Sequence, residues 1–259
     1  MFPNHFVFGP VALTFYGLWV ALGMAAALAL FSLTAPRRAI TPGRARDFCF
    51  WMILAGLIGS RIFYVVFHWS EFASQPASVL AYWRGGLMFQ GGLITALALS
   101  PFFLRYYRLP FWPTADVMAP SLALGQCFGR LGCFSAGCCY GRVTGADNPL
   151  AVVFPPGSLA PWGLPLWPTQ LMESFALLIL ALLLILAIRS GSRTFSPPGR
   201  VAALYLLGAG LTRLCMEFFR GDFRGEPVVW GLAPTTMAAI VAAAVGLILF
   251  IYHRPRSGL

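Results

Sequence analysis

A short stretch in the middle of the chain, GRLGCFSAGCCYGR at residues 129–142, combines residue types that are unusual in an apolar sequence. It holds two arginines, three cysteines and four glycines. A guanidinium stays protonated and binds phosphate through two parallel donors, so Arg130 and Arg142 are candidates for binding an anionic phospholipid headgroup. Glycines such as Gly129, Gly132, Gly137 and Gly141 allow close approach of a neighbouring helix or of a headgroup.

The three cysteines of this stretch, Cys133, Cys138 and Cys139, follow a C-x4-C-C pattern. Structural zinc sites usually pair C-x-x-C knuckles, so the spacing predicts no metal site, and no cofactor is expected. A disulfide, apolar packing and thiol chemistry are the alternatives that the pattern leaves open.

Arginines also interrupt apolar runs elsewhere in the chain, at Arg61 in GLIGSRIFYVV and at Arg213 in GAGLTRLCMEFF. An arginine in the bilayer costs at least about 2–3 kcal/mol, so it normally faces a polar cavity or a partner, unless it reaches the interface by snorkelling. Glu217 follows Arg213 by four positions, and the spacing predicts an ion pair on one helical face. Arg220, seven positions on, is expected on the same face.

The composition identifies the elements that position these residues. Of 259 residues, 59% are hydrophobic and 10% are charged, whereas a soluble domain carries about a quarter charged residues. The chain is therefore predicted to be an all-α integral membrane protein with a single transmembrane domain, residues 1–259. Apolar windows of about twenty residues predict seven spans, at about 8–33, 47–68, 86–105, 114–133, 170–188, 201–217 and 233–252.

The distribution of arginine predicts the orientation. The net charge of +10 comes from eighteen basic residues, all of them arginine, and eleven lie in the connections after spans one, three and five and in the tail. The positive-inside rule makes these connections cytoplasmic, with the N-terminus outside and the C-terminus inside, so the charge does not indicate nucleic-acid binding. The outer loop at about 134–169, rich in glycine and proline, is expected to form a stiff, non-helical lid.

The stretch 129–142 resembles the signature of bacterial prolipoprotein diacylglyceryl transferases, G-R-x-G-N-F-x-N-x-E-x-x-G-R. Four further stretches are similar to other elements of that family, in the same order along nearly the whole chain. They are FYGLWVALG, RGGLMFQGGLIT, WPTQLMES and RLCMEFFRGD.

The resemblance implies an enzyme of the bacterial inner membrane whose site faces the periplasm. The family moves the diacylglyceryl group of phosphatidylglycerol to the lipobox cysteine of a preprolipoprotein, which releases glycerol phosphate and leaves a thioether. A monomer is expected. The implied catalytic residues are Arg130, Arg213, Tyr16 and Gln90. The implied substrate-binding residues are Arg130, Gly141, Arg142, Gln170, Glu173, Glu217 and Arg220.

The chain departs from the family on the side of the site that activates the acceptor. Gln90 stands where the family has histidine, Cys133 and Cys138 where it has asparagine and glutamate, and Trp167 where it has a second histidine. Glutamine cannot take a proton from a thiol. Two alternatives therefore accompany the family function: a divergent paralogue with another acceptor or cysteine-based chemistry, and a non-catalytic lipid-binding protein.

Overall fold

The computed structural model describes residues 5–8, 11–82, 85–222 and 231–254, and for residues 5–8 and 11–13 the backbone alone. Within these ranges, seven helices of 18 residues or more and one short helix, α3, form the body of the protein. They are α1 Phe15–Thr34, α2 Pro42–Phe67, α3 Trp69–Phe72, α4 Phe89–Tyr106, α5 Phe111–Ala136, α6 Thr169–Arg189, α7 Arg200–Glu217 and α8 Pro234–Tyr252.

Each of the seven predicted spans corresponds to one long helix, with ends shifted by a few residues. By length and composition, four of these helices are apolar enough to cross a membrane: α1, α2, α6 and α8. The other three, α4, α5 and α7, carry internal prolines or ionised side chains, which lower their hydropathy. The all-α, multi-span architecture predicted from the sequence is confirmed.

The first span begins later than predicted. Strands β1, His5–Phe8, and β2, Val11–Thr14, form an antiparallel hairpin, and α1 starts only at Phe15. The Thr14 hydroxyl accepts a hydrogen bond from the Gly17 amide at 3.0 Å and so caps the helix. Apolar character alone cannot distinguish a short strand from a helix, which is why the predicted start near residue 8 is wrong.

Helix α5 is the central element, because it packs against α1, α6 and α7. Of the other long helices, α2 packs against α4, and α8 packs against α7. Glycines permit the last pairing, since a Cβ at Gly210 would lie 2.7 Å from the Ala239 carbonyl, and one at Gly246 would lie 2.8 Å from the Ala203 carbonyl. Small residues therefore bring the α7 and α8 backbones together, as they do in membrane bundles generally.

Arg61, one of the arginines in an apolar run, is a structural residue. It is 4% exposed, and its guanidinium donates hydrogen bonds to backbone carbonyls of the segment between α3 and α4. The shortest of these hydrogen bonds end at the carbonyl oxygens of Gly85 at 2.6 Å, Val79 at 2.8 Å and Gly86 at 2.9 Å. Arg61 thus has protein partners for its charge, as an arginine in an apolar run is expected to have, and it fixes the segment between α3 and α4.

A second buried charge joins α5 to the start of α7. Asp116 is fully buried and lies 3.0 Å from the Arg38 guanidinium. Its carboxylate also accepts backbone hydrogen bonds from Gly199, Val201 and Ala202 at 2.9–3.0 Å. A carboxylate from one helix therefore caps the N-terminus of another, where unpaired amides and the helix dipole favour negative charge.

Replacing Asp116 with alanine is expected to destabilise the fold, because it leaves three backbone amides without their acceptor and removes the carboxylate partner of Arg38. Loss of a buried, hydrogen-bonded charge costs about 3–5 kcal/mol. Thermal unfolding in detergent micelles measures the effect, with Asp47→Ala as the matched control at an exposed aspartate of α2. Equal unfolding midpoints for the two variants would contradict this role.

Candidate active site

The site is organised around an ion pair between two membrane-spanning helices. Arg130, near the end of α5, lies 2.8 Å from the carboxylate of Glu173, near the start of α6. The side chains are 23% and 6% exposed, so the acid is buried while the guanidinium keeps an accessible edge. Arg130 therefore has the partner that an intramembrane arginine requires and retains surface for a second anion.

Three residues on the face of α6 that carries Glu173 contact the C-terminal part of α5 and the segment that follows it. Gln170, Glu173 and Ser174 share this face because they are spaced at i, i+3 and i+4. Gln170 donates to the Cys138 carbonyl at 2.8 Å, and Ser174 donates to the Cys127 carbonyl at 3.0 Å. Residues of the WPTQLMES stretch thus hold residues of the GRLGCFSAGCCYGR stretch in place.

A helix-terminating motif gathers the three cysteines. Helix α5 ends before Gly137, whose φ of +75° is left-handed. The Gly137 amide donates to Phe134 and the Cys138 amide to Cys133, at 3.2 and 3.1 Å, which is the Schellman pattern. That motif places the side chains of Cys133 and Cys138 side by side. Cys139 is also left-handed, with φ +60°, and all three Sγ atoms lie within 4.8 Å of one another.

Positive charge surrounds this thiol cluster. Hydrogen bonds from Cys133 and Cys138 lower the pKa of the Cys139 thiol, burial opposes them, and the charges of Arg220 and Arg130 lower it further. The arginines and the thiols form one electrostatic unit.

Three separate segments meet at the edge of the site. The Gly141 amide donates to the Trp167 carbonyl at 3.1 Å, and the Arg142 amide donates to the Phe219 carbonyl at 2.8 Å. Gly141 also pairs with Arg220 as an isolated antiparallel bridge. The backbones after α5, before α6 and after α7 are thereby tied together, which fixes Arg220 beside the cysteine segment.

The two arginines of the RLCMEFFRGD stretch have different partners. Arg213 forms the predicted ion pair with Glu217 at 3.1 Å and donates to the Thr235 hydroxyl at 3.2 Å. Arg220 does not continue this face, because α7 ends at Glu217. Arg220 instead binds both carboxylate oxygens of Asp222, at 2.6 and 2.7 Å. The prediction that Arg220 shares a helical face with Arg213 is wrong.

The remaining predicted residues occupy the first turns of helices or the loop. Tyr16 lies in the first turn of α1, is 45% exposed, and lies within electrostatic range of Arg130 and the thiols. Gln90 lies in the first turn of α4 and is exposed, and the Arg142 side chain is exposed in the loop after α5. Tyr16, Arg130, Glu173, Arg220 and the thiols are therefore brought together. The association of Gln90 and Arg213 with this group stays a prediction.

Sequence reasoning missed four supporting residues: Thr169, Ser174, Asp222 and Thr236. Thr169 donates to the Cys139 carbonyl at 2.9 Å, and Thr236 donates to Glu217 at 2.9 Å. The periodicity of Thr169, Gln170, Glu173 and Ser174 is a usable signal, because these polar residues fall on one face of the most apolar helix. No sequence signal links Thr236 to a residue nineteen positions earlier.

Comparisons with known proteins identify the family to which the chain is similar. Residues 3–252 match the family described as prolipoprotein diacylglyceryl transferase. A Synechococcus elongatus protein is 34% identical over 260 residues, covering 98% of this chain and 89% of its own. A Pseudoalteromonas atlantica protein is 38% identical, covering 84% and 75%, and a Clostridium tetani protein is 31% identical, covering 93% of each. All three are named phosphatidylglycerol–prolipoprotein diacylglyceryl transferase.

Gly141→Ala is expected to destabilise the protein by about 1–3 kcal/mol. A Cβ there would overlap the Trp167 carbonyl and lie 3.0 Å from the Phe219 carbonyl, so the backbone junction would have to open. Gly129→Ala is the matched control, because no described atom lies within 4 Å of its Cβ position. Protein atoms approach closely at Gly132, Gly137 and Gly141, whereas the approach of a headgroup at Gly129 stays a prediction. A Gly141→Ala unfolding midpoint equal to that of Gly129→Ala would contradict the junction.

Proposed function

Because the chain belongs to the prolipoprotein diacylglyceryl transferase family, we propose that it moves the diacylglyceryl group of phosphatidylglycerol to the lipobox cysteine thiol of a preprolipoprotein. The observation that carries the proposal is the group formed by Arg130, Glu173 and Arg220. It combines two permanent cations with the buried acid that holds one of them. The printed names of the relatives support phosphatidylglycerol and a prolipoprotein as the two substrates.

The reaction exchanges one bond to carbon for another. The acceptor sulfur, as a thiolate, attacks the glycerol carbon that carries the phosphate ester. The C–S bond forms as the C–O bond breaks, and the electron pair stays with the departing glycerol phosphate. Charge therefore develops on a phosphate oxygen, and a fixed guanidinium at that position lowers the barrier.

Arg130 is suited to receive this charge. Glu173 holds one of its nitrogens at 2.8 Å, so the orientation of the guanidinium is fixed before lipid binds. A planar guanidinium with one nitrogen engaged still offers further donors to phosphate oxygens. Glu173 is proposed to be a positioning residue, because it acts through Arg130.

Arg220 is proposed to supply the second charge beside Arg130. Its Nε and Nη2 atoms are bound to Asp222, which fixes the plane of the guanidinium. Arg213 is proposed to face the same lipid from α7, with Glu217 and Thr235 as its supports. Tyr16 and Gln90 are proposed to line the site from the first turns of α1 and α4.

We propose that the site faces the periplasm across the inner membrane. Asp116, which contacts the arginine-rich end of the bundle through Arg38, and Arg130 both lie on α5. They are fourteen positions apart, which separates them by roughly 21 Å along the helix axis. The site therefore lies toward the end of α5 opposite the connection that holds Arg37 and Arg38, which the positive-inside rule assigns to the cytoplasm.

The gathered thiols favour one alternative, a transferase that uses the same phospholipid but a different acceptor or cysteine-based chemistry. The two functions differ in the acceptor and share the release of glycerol phosphate. Mass spectrometry of the products formed from phosphatidylglycerol, with and without a lipobox peptide, distinguishes them.

Arg130→Ala is expected to lower the rate of transfer by a factor on the order of 100–1,000, because the phosphate loses its positioned donor. The assay combines the purified protein, vesicles containing phosphatidylglycerol and a lipobox peptide, and it follows the lipidated peptide by mass spectrometry. Arg193→Ala, in the connection between α6 and α7, is the matched control for loss of charge and should keep the wild-type rate. A wild-type protein that forms no lipidated peptide, or an Arg130→Ala variant as active as the control, would reject the proposal.

A further inference from the structure

The three sulfur atoms of Cys133, Cys138 and Cys139 have the geometry of a metal-binding set. They lie within 4.8 Å of one another. Zinc–sulfur bonds measure about 2.3 Å, which places two thiolates on one tetrahedral zinc about 3.8 Å apart. Small rotations of the side chains therefore suffice to bring all three sulfur atoms onto one ion.

The backbone holds this set in place from both sides. The Schellman motif after α5 fixes Cys133 against Cys138. The first turn of α6 holds the following residues, because Gln170 binds the Cys138 carbonyl and Thr169 binds the Cys139 carbonyl. Gln170 is 1% exposed, so this anchor is part of the core. The C-x4-C-C spacing predicts no metal site. Spacing alone does not include the chain reversal at Gly137, which brings Cys133 and Cys138 together.

The surrounding charges match a divalent ion. Three thiolates and one Zn²⁺ carry a single net negative charge. Arg130 interacts electrostatically with Cys133 and Cys139, and Arg220 interacts with Cys139, so this charge would be compensated. Without an ion, three thiolates at these distances would repel one another strongly.

We propose that Cys133, Cys138 and Cys139 bind one zinc ion whose fourth coordination position takes the acceptor thiol. The inference rests on the proposed function and deepens it. Zinc sites with three protein ligands and one open position are the catalytic kind, and a thiol that coordinates zinc is deprotonated. The site would therefore supply the deprotonation that Gln90 cannot perform in place of histidine.

The step balances without an oxidant or reductant. The acceptor thiol enters the open position and releases its proton to water. Its sulfur then attacks the glycerol carbon of phosphatidylglycerol, the C–S bond forms, the C–O bond breaks, and glycerol phosphate leaves with the electron pair. The thioether product is neutral and binds zinc more weakly than a thiolate, so it dissociates and the ion stays with its three cysteines.

Zinc content tests the site directly. The full chain is expressed with zinc in the medium and purified in detergent, and metal per chain is measured by inductively coupled plasma mass spectrometry. We expect about one zinc per chain in the wild type and less than about a tenth in the triple Cys133→Ser, Cys138→Ser, Cys139→Ser variant. Cys215→Ser, at an exposed cysteine outside the cluster, is the control and should keep its zinc.

A second measurement tests the site without the triple variant, in case that variant does not fold. X-ray absorption at the zinc edge of the wild-type protein should show three sulfur ligands at about 2.3 Å. Zinc-free wild-type protein with three free thiols, a disulfide between any two of the three cysteines, or zinc bound through other ligands would each overturn the site.

The role of the ion is tested with wild-type protein stripped by a chelator and then reloaded. Stripping is expected to lower transfer to a lipobox peptide on the order of a hundredfold, with recovery when zinc is restored. Equal transfer with and without zinc would overturn the role of the ion and leave the proposed function standing. Zinc bound at the three cysteines with no transfer in either form would reject the proposed function and leave the metal site standing.

Discussion

An arginine inside a membrane-spanning helix requires a partner, and the site depends on the partner that Arg130 has. Glu173 meets it from α6 at 2.8 Å with almost no exposure to solvent. This contact sets the register between α5 and α6, and the neighbours of Glu173 on the same face then fall opposite the end of α5. Gln170 and Ser174 bind carbonyls there. One ion pair thus positions both Arg130, the proposed phosphate-binding group, and the cysteine turn.

Two groups of charged residues lie near opposite ends of α5. At one end, Asp116 is saturated by Arg38 and by three backbone amides, so it has no capacity for a ligand. At the other end, Arg130 has one firm partner and an exposed edge. A charged side chain whose hydrogen-bonding positions are all occupied by the protein is structural. One that keeps free positions can bind a ligand. Arg61 is structural by that test, because backbone carbonyls take its donors.

Hydropathy predicts the seven long helices because a bilayer imposes a minimum apolar length on every span. Side-chain partners were harder to predict. The Arg213–Glu217 pair follows from helical spacing, whereas the pairing of Arg220 with Asp222 depends on α7 ending at Glu217. A helix end is a local event that average hydropathy does not locate.

The sequence singles out the three cysteines, and part of their arrangement in space can also be predicted from it. A glycine four residues after Cys133, with Cys138 next, is the pattern of a Schellman motif whose facing side chains are those two cysteines. The spacing of zinc knuckles does not include a chain reversal such as the one at Gly137. Cys139 could not have been added by this route, because its left-handed backbone depends on contacts with α6.

The central claim is that the Arg130 guanidinium, held by Glu173, binds the phosphate of the donor lipid. An experimental structure of the full chain with bound phosphatidylglycerol tests it most directly. We expect phosphate oxygens about 2.7–3.0 Å from the Arg130 guanidinium, with the Glu173 contact intact. A headgroup bound elsewhere, with Arg130 engaged only by Glu173, would contradict it.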